Sequence, residues 1–323
     1  MLHAGPAALT MTDLDPRMLL APLMEVAQTG TMPDPALTAE LAAHAERILE
    51  IPPATLYALL TPPLCGKHPH EALQWLRDVG VLVHILPELD ATHDFSQEGG
   101  RRHKDVWEHT KSVVRQAVPR PIVRWAAALH DIGKVPTRRF LPGGKVTFHG
   151  HAEEGVRMFR RGPAQRIAFP DDERVAIEEL IRYHLRPGQY EPSWTDSAVR
   201  RFHRETEPFL RDLLDLGRAD ITSKRPGKRA ACLRSIHALA ERIEALAAED
   251  AKPKPLPAGL GNLLMTGLGL PPGKHLGDLR KRLEALFVAG EVLGGQPAEY
   301  YLEVVRERDL MDGITIQPPR GFS

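Results

Sequence analysis

The chain has 323 residues, of which 42% are hydrophobic and 26% charged, and its 42 Lys and Arg residues balance 42 Asp and Glu residues. No apolar run approaches the ~20 residues of a membrane-spanning helix, which excludes such a helix. The N-terminus lacks the basic start of a secretory signal. The chain has two cysteines, Cys65 and Cys232, which lie far apart and fit no metal-binding spacing. We therefore expect a reduced, cytoplasmic protein whose residues 1–30 form a partly disordered leader.

The charges are unevenly distributed along the chain. Between positions 101 and 234 there are 28 Lys and Arg residues against 17 Asp and Glu residues, and the remainder is acidic. Basic clusters at 101–104 and 224–229 suit a phosphate-rich ligand such as a nucleotide or RNA. A solvated, arginine-rich surface is the competing interpretation.

Short helices are predicted after the leader, over residues 31–95. Apolar residues at helical spacing within 36–50 indicate one amphipathic helix. Pro52 and Pro53 end it and begin a helix over 54–60, which Pro62 and Pro63 end in turn. A third helix over 71–79 closes at Gly80. These elements predict a small helical bundle.

A loop rich in glycine and polar residues precedes a larger helical region, residues 96–250. Pro, Gly or Asx residues separate its predicted helices, which cover 105–117, 122–131, 151–160, 172–184, 196–205, 209–220 and 230–248. Residues 145–148 are the one weak strand candidate. After a Pro-rich linker at 252–257, the last part, 251–323, contains predicted helices over 276–289 and 298–306. The predicted fold class is all-α.

Several histidines and aspartates occupy helix ends or inward helix faces. His109 lies on the buried stripe of its helix. His130 and Asp131 end a helix that is apolar almost all round, so they require polar partners in the interior. The others in this group are His151, His184 and Asp220. Any single one of them could be a core residue satisfied by a backbone carbonyl.

Together, however, these side chains predict a metal site, because helical folds build such sites from ligands on different helices. Imidazole and carboxylate suit divalent Mn, Fe, Ni, Co or Zn, and one shared aspartate bridges two ions. Two adjacent ions activate water and hold phosphoryl oxygens.

The same residues carry a resemblance to a known family. The motifs DVWEHT at 105–110 and AALHDIGK at 127–134 resemble the HD metal-dependent phosphohydrolase superfamily. The motifs TFHGH at 147–151, IRYH at 181–184 and ADI at 219–221 follow as in bacterial CCA-adding enzymes, tRNA nucleotidyltransferases that carry an HD domain. The resemblance implies that residues 96–250 form an HD-domain helical bundle.

The resemblance also implies a role for each residue. The implied metal ligands are His109, His130, Asp131, His151, His184 and Asp220. Asp131 would reach both of two ions, and His149 is the alternative to His151. Lys134 and Arg138 would bind the substrate phosphate, with Asp131 and Lys134 as catalytic residues, although surface charge near a helix end is the competing interpretation for both cations. Mn, Ni, Fe, Co and Mg are the candidate divalent metals.

The similarity extends on both sides of the HD region. Residues 31–95 resemble the helical neck of CCA-adding enzymes and 251–323 their tail, whereas the nucleotidyltransferase head has no counterpart in the chain. We expect a phosphohydrolase that uses metal-activated water on nucleotide or RNA-end phosphoesters (2′,3′-cyclic phosphodiesters, 2′-nucleotides or phosphomonoesters). The open alternatives are a non-catalytic tRNA-binding module, a partner for a separate transferase head, and a deoxynucleotide or cyclic-nucleotide hydrolase. A homo-oligomer is compatible with the sequence.

Overall fold

The computed structural model describes residues 15–93, 105–142, 146–251 and 255–316. These residues are largely helical, which confirms the predicted all-α class. The chain divides into two compact units, the first ending at Ile243 and the second beginning at Glu244. No helix in the described ranges is long and apolar enough to cross a membrane.

Short helices, several of them begun by proline, form the N-terminal part of the first unit. Proline suits a first helical turn because the N–H groups there have no partner within the helix. The α-helices are α1 (Leu23–Thr29), α2 (Pro35–Ala42), α3 (Pro53–Leu64), α4 (Pro69–Asp78), α5 (Leu82–Ile85) and α6 (Pro87–Asp90). Two 3-10 helices, Pro16–Leu20 and Ala45–Glu50, lie among them.

The predicted leader is wrong over its second half. Residues 16–29 form a 3-10 helix and α1, and Leu20, Leu23 and Val26 are buried in the same core as residues of the later helices. Removing these apolar side chains from water is favourable, so the segment folds with the first unit. Residues 1–14 lie outside the described part of the chain.

Two predicted helix boundaries in this region are also wrong. The helix expected over 36–50 is divided between α2 and the second 3-10 helix, because His44 at the junction adopts φ −123° and ψ 13°. The helix α3 continues through Pro62 and Pro63 to Leu64. Both prolines lie in its last turn, where they remove few hydrogen bonds, and Pro63 is buried in the core.

One buried helix lies among the remaining helices, the last of which continues past the division at Ile243. They are α7 (Val106–Gln116), α8 (Pro121–Leu129), α9 (Lys134–Thr137), α10 (His151–Arg161), α11 (Pro163–Arg166), α12 (Asp171–Tyr183), α13 (Asp196–Thr206), α14 (Leu210–Asp220) and α15 (Pro226–Asp250). α3, α7, α12 and α14 pack against α8, in which every residue from 123 to 129 is buried. The residues that follow α8 are therefore carried into the interior.

A short antiparallel hairpin lies between α9 and α10. Its strands are β1 (Arg139–Phe140) and β2 (Val146–Thr147), with Arg139 opposite Thr147 and Phe140 opposite Val146. The predicted strand is confirmed at Val146 and Thr147, while residues 143–145 lie outside the described ranges.

The second unit has a core of its own. Its helices are α16 (Leu260–Leu268), α17 (Lys274–Val288) and α18 (Ala298–Glu307), and they bury Leu264, Leu279, Leu283 and Tyr301. The boundary predicted at residue 250 is close to the division at Ile243. The boundary between residues 31–95 and 96–250 stays a prediction, because both segments contribute to one core within the first unit.

Candidate metal centre

The six predicted ligand residues come together near the C-terminal end of α8. His109 is on α7, His130 and Asp131 directly follow α8, His151 begins α10, His184 follows α12, and Asp220 ends α14. Four of the six are buried. The helices thus bring distant parts of the sequence to one polar cluster inside an apolar core.

One oxygen of Asp131 faces the first group of ligands. Its Oδ2 atom is 3.4 Å from Nε2 of His109 and 3.2 Å from Nε2 of His130. Oδ1 of Asp220 is 2.9 Å from the same atom of His109 and 3.6 Å from that of His130. Two imidazoles and two carboxylates therefore converge on a small volume.

The other oxygen of Asp131 faces the second group. Its Oδ1 atom is 3.5 Å from Nε2 of His151 and 3.8 Å from Nε2 of His184, and these two nitrogens are 3.2 Å apart. This oxygen is buried, and it makes no hydrogen bond with the described residues. A buried carboxylate oxygen without a donor is costly, so its surroundings call for a cation.

The other ring nitrogen of each histidine is held in place. Nδ1 of His130 lies 2.9 Å from the carbonyl oxygen of Ala127, and Nδ1 of His151 lies 2.8 Å from that of Phe148. Nδ1 of His184 lies 2.7 Å from the carbonyl oxygen of Ile181. Because a carbonyl only accepts, these Nδ1 atoms carry the proton in a neutral ring. In His109, Nδ1 is 3.0 Å from the Thr222 hydroxyl. Such contacts orient Nε2 toward a metal.

The donor set fits divalent metal ions. Two groups have ligand atoms close enough to share one ion each, His109 with His130 and Asp131, and Asp131 with His151 and His184. Nitrogen and carboxylate donors of this kind are compatible with several divalent transition metals. Asp131 belongs to both groups, and each of its oxygens faces one of them.

The carboxylates and His130 stabilise one another's charges. Burial lowers the pKa of His130, but the negative charges of Asp131 and Asp220 outweigh it and raise that pKa to about 10. Burial alone would raise the pKa of both aspartates. At Asp131 the charges of His130 and Lys134 outweigh burial, and at Asp220 hydrogen bonds from His109 and His130 do so, which holds both pKa values well below their usual range. The cluster therefore contains two ionised carboxylates at neutral pH.

His151 and His184 are poised as neutral rings. Burial lowers the pKa of both, and at His184 the nearby charge of His130 adds to this effect and brings the pKa to about 4. A neutral imidazole is the form that binds a metal ion. The second group is thus ready to ligate at physiological pH.

The two predicted phosphate-binding cations lie in different surroundings. Nζ of Lys134 is 2.7 Å from Oδ2 of Asp131 and 5.7 Å from the centre of the Phe148 ring. Lys134 therefore belongs to the cluster. The guanidinium of Arg138 instead lies 5.1 Å from the centre of the Phe140 ring on β1.

The structure also separates the two rival histidines. His149 is exposed, whereas only 8% of the His151 surface is accessible and its ring lies beside Asp131. The basic cluster at 224–229 is exposed at the start of α15, and the cluster at 101–104 lies outside the described ranges.

Sequence reasoning missed two features of the site. One is Thr222, which holds the ring of His109 from only two residues beyond Asp220. The other is a cleft of about 690 Å³ lined by residues that include His151, Arg182 and Arg186. Arg182 and Arg186 lie two residues before and two residues after His184, and this spacing is the sequence signal that could have identified them.

Comparison with protein families defines the class. Residues 105–225 match the family model described as HD domain, and this range contains all six clustered residues. The chain therefore carries an HD domain, the fold of a superfamily of metal-dependent phosphohydrolases, as the sequence predicts.

Curated relatives include two tRNA nucleotidyltransferases and a multifunctional CCA protein. The chain is 30% identical over 254 residues to an A-adding tRNA nucleotidyltransferase from Deinococcus radiodurans. This alignment covers 77% of the chain and 56% of the relative. It is 32% identical over 236 residues to a CC-adding tRNA nucleotidyltransferase from Thermus thermophilus, covering 71% and 51% respectively. A multifunctional CCA protein from Azoarcus is 34% identical over 126 residues, covering 38% and 29% respectively. The chain spans about half the length of the first two relatives, and its resemblance to CCA-adding enzymes is confirmed.

Proposed function

We propose that the protein is a metal-dependent phosphohydrolase acting on nucleotide or RNA-end phosphoesters. The substrates in view are 2′,3′-cyclic phosphodiesters, 2′-nucleotides and phosphomonoesters. The observation that carries this proposal is the position of Asp131, whose two oxygens each face a separate pair of histidine Nε2 atoms. Such a carboxylate suits a pair of divalent ions.

In this proposal the ligands divide into two sets that share Asp131. The first set is His109, His130, Asp131 and Asp220, and the second is Asp131, His151 and His184. Bound divalent ions would supply charge for the phosphoryl oxygens and a water of lowered pKa. The carbonyl contacts at Nδ1 keep the ligand rings oriented, so the protein does not have to reorganise them during the reaction.

Lys134 would act as the second catalytic residue. Its ammonium group already lies at the Asp131 carboxylate, so it is held within the cluster and can add positive charge beside a phosphate. We assign Arg138 a more peripheral role in binding the substrate phosphate, since it follows directly on α9 and its guanidinium lies over Phe140.

An RNA-like substrate is favoured by two observations. The relatives described as A-adding and CC-adding enzymes act, by those names, on tRNA. The stretch from 101 to 234, which contains the cluster, has 28 basic residues against 17 acidic ones.

A second candidate function is tRNA binding without hydrolysis, either alone or together with a separate nucleotidyltransferase head. The extent of the similarity favours it, because the 254 aligned residues exceed the HD domain at 105–225. Flanking segments of this kind are not needed for chemistry on a small molecule. Copurification of a small nucleotidyltransferase would support the version of this hypothesis in which a separate chain supplies the transferase head.

The test is a panel of metals and substrates with purified protein. We expect hydrolysis of 2′,3′-cyclic AMP or p-nitrophenyl phosphate with Mn or Ni, and a loss of about 100-fold or more in His130→Ala. His237→Ala, which changes an exposed histidine on α15 away from the cluster, is the matched control. Metal analysis should find two ions per chain in the wild type and fewer in His184→Ala.

The same variants separate the two candidate functions. If His130→Ala loses turnover and keeps its affinity for tRNA, hydrolysis and RNA binding are distinct properties of one protein. A wild-type protein that binds tRNA but hydrolyses neither substrate with any metal of the panel would leave only the binding function.

A further inference from the structure

A cleft adjoins the second half of the ligand cluster. Its volume is about 690 Å³, and it lies between the start of α10 and the end of α12 with the turn that follows. His151 lines this cleft and also faces Oδ1 of Asp131. A molecule in the cleft would therefore lie next to the site of the proposed reaction.

The described lining of the cleft is basic. Arg157, Arg182 and Arg186 contribute three guanidinium groups, against one carboxylate from Glu153. The oxygens of a phosphodiester suit such a group of arginines, because the planar fork of N–H donors matches their geometry.

Glutamates that are not part of the lining orient these arginines. Arg157 pairs with Glu154 on α10, Arg182 with Glu178 and Glu179 on α12, and Arg186 with Glu205. Each guanidinium has five N–H donors, and its hydrogen bonds to described residues use no more than two of them. The arginines are thus both fixed in direction and able to accept a further anion.

The cleft lining also contains an aromatic ring next to a guanidinium group. Tyr183 lines it and stacks on Phe209, with ring centres 5.8 Å apart and 16° between the planes. The guanidinium of Arg186 lies 5.2 Å from the centre of the Tyr183 ring and 5.0 Å from that of Phe202. Aromatic rings and guanidinium planes are the surfaces on which the bases of single-stranded RNA stack.

We propose that this cleft holds the nucleotide next to the terminal phosphate, so that the preferred substrate is the 3′ end of an RNA strand instead of a mononucleotide. The volume of the cleft is in the range of pockets that hold whole small molecules, well beyond one phosphate group. The penultimate phosphodiester would contact the arginines, and the adjacent base would stack beside Tyr183. This inference rests on the proposed hydrolysis at the neighbouring cluster.

The experiment compares two substrates with the same reacting group, 2′,3′-cyclic AMP and a dinucleotide that ends in the same cyclic phosphate. We expect kcat/KM to be at least about tenfold higher for the dinucleotide. In Arg182→Ala and in Arg186→Lys the ratio of the two kcat/KM values should fall toward one. Arg174→Ala, on α12 but outside the cleft lining, should keep the wild-type ratio.

Binding of a labelled dinucleotide with a 3′-phosphate supplies a second readout that does not depend on turnover. Equal kcat/KM values for the two substrates, unchanged in Arg182→Ala, would overturn the cleft assignment and leave the proposed hydrolysis standing. Absence of hydrolysis together with arginine-dependent binding of the dinucleotide would keep the cleft and overturn the hydrolase. Loss of both readouts would overturn both proposals.

Discussion

Gly133 shows how closely the backbone approaches itself at the ligand cluster. A Cβ atom at this position would lie 2.1 Å from the carbonyl oxygen of His151 and 2.5 Å from the amide nitrogen of Gly155. Its φ of −68° is open to any residue, so the need for glycine comes from this contact and not from the turn itself. The contact sets the distance between the turn at Asp131 and the first turn of α10.

We therefore predict that Gly133→Ala displaces His151 from Asp131. The added methyl group cannot fit without a backbone shift, and a shift of about 1 Å in a site of this kind costs about 100-fold in rate. Metal content should fall as well, and overpacking should lower the free energy of unfolding by about 1–3 kcal/mol.

Metal analysis, the hydrolysis assay and urea unfolding check this prediction. Gly227→Ala is the control, because nothing lies within 4 Å of a Cβ atom there. A Gly133→Ala protein with wild-type metal content and turnover would show that the close contact does not position His151.

At the residue scale the sequence predicts which side chains meet but not how they are held. His130 and Asp131 stand out because a helix that is apolar almost all round ends in two polar residues. The choice between His149 and His151 needs the structure, since both lie beside the same glycine and only one turns inward. The approach of Gly133 to α10 is invisible in the sequence because it joins two segments through their backbones.

At the scale of elements, one ion pair links the helices that carry His151 and His184. Nε of Arg160 on α10 donates to Oε2 of Glu178 on α12 at 2.7 Å, and Glu178 is buried. The hydrogen bond from Arg160 is the largest influence on the pKa of Glu178 and holds it below its ordinary value of 4.5. The contribution of this carboxylate to stability is present above the unfolded-state pKa and is lost as the pH falls through the folded-state pKa.

Glu178→Gln should consequently lower the free energy of unfolding at neutral pH by about 1 kcal/mol. The difference from the wild type should shrink as the pH falls through the folded-state pKa of Glu178, which lies below 4.5. Urea unfolding over this pH range measures the effect. Glu179→Gln, the next residue on α12, is the control, and a difference for Glu178→Gln that grew on acidification would contradict the assignment.

Helices with strong terminal signals are predicted to within one or two residues. Asp105 caps α7 with its side chain, proline begins α8, and glycine flanks α10 at both ends. The helix α16 is missing from the prediction because glycines at 259, 261, 267 and 269 obscure an otherwise apolar segment. Burial of Leu260 and Leu264 in the core of the second unit overrides the low helix propensity of these glycines.

At the scale of the whole molecule, the two compact units have separate cores. Leu283 on α17 and Leu216 on α14 are both fully buried, but they belong to different cores. We predict that truncating either side chain to alanine lowers the stability of its own unit by about 2–5 kcal/mol. Only Leu216→Ala should also reduce metal retention, because α14 carries Asp220.

Hydrogen exchange resolved by peptide, together with metal analysis, distinguishes these outcomes. Faster exchange confined to residues 255–316 in Leu283→Ala, with unchanged metal content, is the expected result. Loss of metal from Leu283→Ala would mean that the two units are thermodynamically coupled. The sequence predicts this boundary at residue 250 and not at Ile243, because the long helix α15 runs without interruption through the division.

The direction of the chain around the cluster has one more consequence. α8, α12 and α14 all reach the cluster with their C-terminal ends, at His130, His184 and Asp220. The aligned peptide dipoles of a helix leave roughly half a negative charge at that end. Three such ends produce an electric field that attracts cations and repels a free phosphate. The backbone therefore favours the retention of a cation at this cluster, even before any side chain is considered.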